Sequence, residues 1–128
     1  MIISKFHLAL IFTGLIIGIL LAFFLWPRKV VSSRDFAQCL AEKGVTMYGS
    51  DTCPNCLNQK EMFGESFQVI PYVKCDFERE QCEQKGITVY PVWMNGKKML
   101  LGTQSFPDLA AFSGCELPSS VAEKMAAN

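Results

Sequence analysis

Histidine is nearly absent from this chain: His7 is the only one, and it sits in a long apolar stretch near the N-terminus. Everything beyond it lacks an imidazole, which excludes His-based acid–base catalysis and mixed Cys/His zinc sites there. Net charge is absent too, since twelve basic residues balance twelve acidic ones. With no basic run, the electrostatic footprint of a nucleic-acid binder is missing. Charged residues make up only 19% and hydrophobic residues 50%, which excludes a disordered chain. At 128 residues there is room for one small domain and not for two. No internal repeat occurs.

The zero net charge hides an asymmetry. Lys5, Arg28, Lys29 and Arg34 flank the apolar stretch, leaving eight basic against twelve acidic residues from Asp35 onward, a charge of −4. From Phe6 to Trp26 no residue is charged at neutral pH. A helix of that length would span a hydrocarbon core of ~30 Å, with Trp26 at the interface. A cleaved signal peptide would have a shorter apolar region of ~7–15 residues and a small-residue cleavage site. Phe23-Phe24-Leu25-Trp26-Pro27 offers no such site, so the expectation is an uncleaved single-pass anchor. The positive charges after the run favour their own side as cytoplasmic. The abundance of cysteine points instead to an oxidising compartment there. On the cysteines, we expect a cytoplasmic N-terminus and a periplasmic or extracellular domain.

The chain then divides into a flank (1–5), the anchor (6–26), a linker (27–34), a folded domain (35–117) and a polar, partly helical tail (118–128). Ser33 is placed to cap a helix over Asp35–Glu42 that ends near Gly44. Val45–Gly49 reads as a strand, Ser50–Thr52 as a turn, and a helix runs from the next cysteine to about Phe63. Tyr72–Cys75 is a second strand, Glu78–Lys85 a polar helix, and Val92–Met94 a third strand. Asn95-Gly96 is a hairpin turn before a strand over Lys97–Leu101. Ser105 caps a last helix, Phe106–Ser113. This order implies an α/β domain with one mixed four-stranded sheet and helices on both faces.

All six cysteines lie beyond residue 38. Cys53-Pro54-Asn55-Cys56 falls where a strand hands over to a helix. There the free N–H groups of the helix stabilise a thiolate on the first cysteine, and the second, a turn later, resolves the mixed disulfide. We read Cys53 as the exposed attacking sulfur and Cys56 as the buried one. The competing readings are a zinc knuckle formed with Cys75 and Cys82, and a purely structural disulfide. Of the other four, Cys75 ends a strand and Cys82 lies on the next helix, seven residues on, where a helix turning back over its strand would bring the two together as a structural disulfide. Cys39 and Cys115 would staple the two ends of the domain. The alternative is four free buried thiols in a reducing compartment.

Tyr48–Cys56, Gly86–Trp93 and Asn95-Gly96 together resemble thioredoxin-fold oxidoreductases. More narrowly, Gln59-Lys60, Phe63-Gly64, Tyr72-Val73, Cys75, Tyr90-Pro91, Trp93, Leu109-Ala110 and Ser113-Gly114 resemble the thioredoxin-like domain associated with bacterial vitamin K epoxide reductase homologues. The resemblance covers about residues 36–115. It implies a minimal thioredoxin-like fold, with Pro91 cis and facing the cysteine pair. A cis bond there exposes the backbone of Tyr90 to an extended substrate. Tyr90, Pro54 and Asn55 are then the expected substrate contacts. Thr52 stands where thioredoxins have Trp, and Met47 where they carry a buried acid, so the proton acceptor for Cys56 is left open. Lys74 is read either as a thiolate stabiliser or as a solvated strand lysine.

The function expected is thiol–disulfide exchange without cofactor or metal, in the direction of an oxidase of exported proteins. Because no four-helix quinone-binding domain is seen, the resemblance implies a separate quinone-linked membrane oxidoreductase, of the vitamin K epoxide reductase kind, as redox partner. The alternatives are a reductase of the cytochrome-maturation type and a membrane-tethered binding module stabilised by zinc on four cysteines.

Overall fold

The computed structural model describes residues 5–26 and 30–127, with side chains from residue 9 onward. The flank 1–4, the side chains of Lys5 and His7, and the charges Arg28 and Lys29 lie outside the described residues. The first helix, α1, is Lys5–Phe24. Among the described residues no helix is long and apolar enough to cross a membrane, which overturns the anchor expected over 6–26. The single-pass location, with the N-terminus inside and the domain outside, rested on that anchor and falls with it.

The next helix, α2, spans Ser33–Glu42, and its cap is Ser32 rather than Ser33. The Ser32 hydroxyl accepts from the backbone N–H of Asp35, whose carboxylate accepts from the Ser32 N–H at 2.9 Å. This reciprocal pair satisfies two donors at once, which a cap at Ser33 would not do. Strand β1 is Thr46–Gly49, and α3 is Pro54–Phe63. A 3-10 segment, Gly64–Val69, follows where the sequence pattern indicated only a loosened helix end. Then come β2 (Tyr72–Lys74), α4 (Arg79–Gln84), β3 (Val92–Asn95), β4 (Lys98–Leu101), α5 (Phe106–Ser113) and α6 (Ser119–Ala126).

The four strands form one sheet in the order β2-β1-β3-β4. β1 runs parallel to β2 and antiparallel to β3, and β3 runs antiparallel to β4. This is the mixed α/β sheet implied by the order of elements. The hairpin sits one residue later than expected: Asn95 pairs with Lys98, so Gly96 and Lys97 form the turn. Gly96 supplies its positive φ of 61°.

Alternation along the strands sends successive side chains to opposite faces. Met47 and Trp93 are partners across β1 and β3. They pack with Phe36 and Leu40 of α2, Phe63 of α3 and Leu109 of α5. Tyr48, Val92 and Met94 point the other way, into a smaller cluster with Cys75, Cys82 and Ile87. Two disulfides border these clusters. Cys75–Cys82 ties the end of β2 to α4, and Cys39–Cys115 ties α2 to the segment after α5. The tail forms α6, docked where Ser119 bonds twice to Val31: its N–H to the carbonyl and its hydroxyl to the N–H, both at 2.9 Å.

Replacing Cys39 and Cys115 together by alanine frees a 76-residue loop in the unfolded chain. The expected loss is up to ~4 kcal/mol, through the regained freedom of the unfolded ensemble. It is read as a lower urea midpoint; an unchanged midpoint refutes it.

Candidate active site

The turn after β1 delivers Cys53 to the head of α3. Cys53 is the N-cap residue, with an extended backbone, and Pro54 occupies the first helical turn. Proline costs nothing there because its missing N–H would have no helical partner. The Cys53 carbonyl accepts from Leu57 N–H at 3.1 Å, so the helix is wound from its first residue. The Cys53 thiol is part-buried and lies 3.9 Å from the carbonyl oxygen of Tyr90. The Tyr90–Pro91 peptide is cis. Pro91 is fully buried, and its carbonyl accepts from Gly102 N–H at 2.7 Å. Pro54 and Asn55 are exposed beside it.

Cys56 is fully buried, one turn into the helix. It fits because β1 ends in glycine: a Cβ on Gly49 would come within 2.6 Å of the Cys56 sulfur. Both thiols are free, and their environments split them. Burial is the largest influence on Cys53 and opposes its thiolate. It is outweighed by hydrogen bonds from the Cys56 N–H, the Cys56 thiol and the Asn55 N–H, so the Cys53 pKa is lowered. Cys56 is pushed up to about 11, first by burial and then by the proximity of Cys53. Cys75 and Cys82 are bonded to each other, so they do not complete a four-sulfur zinc set. Among the described residues no cluster of three or more His, Cys, Asp or Glu is placed to hold a metal.

Several residues that sequence reasoning did not assign complete the site. Gln59 is fully buried on the same face of α3 as Cys56 and Phe63. Its Oε1 accepts from Trp93 Nε1 at 3.2 Å and from Gln104 N–H at 2.6 Å, and its Nε2 donates to the Gln104 carbonyl at 3.1 Å. The segment carrying Gln104 also places the Thr103 hydroxyl 3.4 Å from the Asn55 carbonyl. One loop therefore touches the cysteine motif, the redox helix and Pro91. The available signal was an amide three residues after Cys56, on an otherwise apolar face.

Asp51 also went unassigned. It pairs with Lys60 at 2.6 Å and with Lys74 at 2.7 Å. Lys74 is thus the exposed strand lysine of the second reading, its ammonium paired with Asp51 rather than with Cys53. Hydrogen bonds from Lys60 and then Lys74 hold the Asp51 carboxyl down at about 2. Asp76 accepts from the Ser50 hydroxyl at 2.6 Å and from the Asp51 N–H at 3.2 Å, fixing the turn before Cys53. Beside Tyr90 a cleft of about 440 Å³ opens between Asp76, Arg79, Ile87 and the Cys75–Cys82 bridge.

A part-buried cysteine with a favoured thiolate, a buried partner one turn away and a neighbouring backbone carbonyl define a class of site, that of thiol–disulfide exchange. The chain is similar to the thiol-disulfide oxidoreductase LTO1 of Arabidopsis thaliana, at 33% identity over 99 residues. The match takes in 67% of this chain and 26% of that protein, so the chain spans about a quarter of the length of the curated relative. No family profile matches the chain. The likeness supports an oxidoreductase enzyme working on thiols and disulfides.

Gln59→Leu keeps the volume but strands the Trp93 N–H and both Gln104 backbone groups. With these groups unpaired in the core, a stability loss of about 2–4 kcal/mol is expected. Thermal unfolding checks it, and a loss below about 0.5 kcal/mol would show that the amide is dispensable.

Proposed function

We propose that the protein is a thiol–disulfide oxidoreductase working through Cys53 and Cys56 as an oxidase of protein thiols. The observation that carries this reading is the split between the two sulfurs. A favoured Cys53 thiolate stabilises the reduced site, and a site stable when reduced is oxidising when disulfide-bonded. A substrate thiolate attacks the Cys53 sulfur of the closed disulfide, and Cys56 leaves. Its raised pKa makes it take up a proton. A second substrate thiolate then attacks the substrate sulfur and releases Cys53 as thiolate. The substrate loses two electrons and two protons, and gains a disulfide.

The surroundings suit a polypeptide substrate. The Tyr90 carbonyl beside Cys53 can accept from an extended backbone, with Pro91 buried behind it and Pro54 and Asn55 exposed alongside. Leu57, Phe77 and Val89 are apolar and about half or more exposed on the neighbouring segments. They can take the apolar side chains that an incompletely folded protein presents. A quinone-linked oxidoreductase of the vitamin K epoxide reductase kind would restore the disulfide, a reading supported by the motif resemblance over residues 36–115. The reductase alternative rests on one observation: burial is the largest influence on Cys53, and it works against the thiolate.

Equilibration of the pair against glutathione decides the direction. A potential above about −180 mV supports the oxidase, and one near −270 mV makes the protein a reductase. Cys56→Ala is expected to accumulate mixed disulfides through Cys53, whereas Cys53→Ala is not. Equal trapping by both variants, or by neither, sinks the assignment of roles.

A further inference from the structure

Cys56 must carry negative charge whenever it attacks or leaves Cys53, yet it is fully buried. Met47, which packs in the same cluster, has no group to assist it. The opposite side of the sulfur is different. A Cβ on Gly49 would lie 2.6 Å from the Cys56 sulfur and 3.4 Å from Cε2 of Tyr72, so sulfur and ring edge both border the bare glycine. Lys60 stands one helical turn beyond Cys56 on α3, on the same face. Its ammonium lies 3.9 Å from the centre of the Tyr72 ring and 2.6 Å from Asp51 Oδ1. The Tyr72 hydroxyl donates to the same Asp51 oxygen at 3.3 Å, while Lys74 holds the other at 2.7 Å.

Lys60 and Lys74 face two carboxylates, Asp51 and Asp76, and the Lys60 ammonium is the cation carried on the face of α3 that bears Cys56. Only 24% of the Lys60 side chain is exposed, so water screens that charge weakly toward the interior. The other charged and titratable groups around the pair are Cys53 on the same helix, Tyr72 and Lys74 on β2, and Asp51 and Asp76 in the adjoining turns. Tyr72 is held protonated, chiefly by burial and by the charge of Asp51.

We propose that Lys60 is a positioning residue for the exchange: clamped by Asp51 across Tyr72, its ammonium supports the charge on Cys56 while that sulfur opens or leaves a disulfide. The inference rests on the exchange role of the Cys53–Cys56 pair. In the resolving direction Cys56 gives its proton to solvent and attacks the Cys53 sulfur. The bond between Cys53 and the substrate sulfur breaks, and its electron pair leaves with the substrate, which takes up a proton. Lys60 keeps its own proton throughout. The electrostatics agree in direction, since Lys60 lowers the Cys56 pKa against burial and the Cys53 charge.

The test follows resolution of a Cys53–glutathione mixed disulfide in the full chain by rapid acid quench across pH. Lys60→Met is expected to slow resolution roughly tenfold near neutral pH, the deficit shrinking as pH rises, because about one unit in thiolate pKa is tenfold in thiolate population. Lys60→Arg, which keeps the charge, is expected to resolve at close to the wild-type rate. The alkylation rate of Cys53 is expected to stay the same in both variants. Resolution of Lys60→Met at the wild-type rate overturns the proposal. A deficit that does not change with pH, or one equally deep in Lys60→Arg, overturns it as well. A wild-type protein that never closes Cys53 onto Cys56 overturns the exchange role, and the proposal with it; the variants leave those two failures distinguishable.

Discussion

A single buried amide holds the redox helix to the sheet. Gln59 spends its oxygen on Trp93 of β3 and on the backbone of Gln104, and returns a hydrogen to the Gln104 carbonyl. A polar group taken out of water is costly unless it is paired, and pairing of this kind is directional. Apolar packing around Phe63 and Trp93 would let α3 slide or turn by a fraction of a residue. The amide does not. The distance from Cys53 to the Tyr90 carbonyl follows, because one lies at the head of α3 and the other just before β3.

The same constraint explains why the site combines rigidity with contrast. Gly49 lets Cys56 lie against the backbone of β1, where burial suppresses its charge. Cys53, three residues earlier, sits at the open end of the helix among N–H donors. Two chemically identical groups are thereby given opposite tendencies within a single turn. Such divergence is what assigns distinct roles to paired titratable groups.

Local patterns carried much of this into the sequence. Cys53-Pro54-Asn55-Cys56 after a short strand, Ser105 before Phe106, and a hairpin at Gly96, to within one residue, can each be read over a few positions, because caps and turns are short-range devices. The choice of Ser32 over Ser33 turned on one side-chain exchange with Asp35. The 3-10 segment over Gly64–Val69 and the docking of α6 on Val31 depend on partners far along the chain. So do the contacts of Gln59 with Gln104 and of Asp51 with Tyr72, 45 and 21 residues apart. The apolar run at the N-terminal end misled for a related reason: uncharged length suggests a membrane span, while the helix described there is not long and apolar enough to be one.

The bridge between Val31 and Ser119 gives the domain a mechanical character. The chain enters at one side of that bridge and leaves at the other, and a few residues further in Cys39 is bonded to Cys115. All four strands and both reactive sulfurs lie inside the covalent loop so formed. Tension applied through the two ends first loads a pair of hydrogen bonds, and then a sulfur–sulfur bond that does not yield on the force scale of unfolding. The sheet and the spacing of Cys53 from Cys56 lie off the line of force. A domain closed in this way can bear a pull through its two ends without Cys53 and Cys56 being drawn apart.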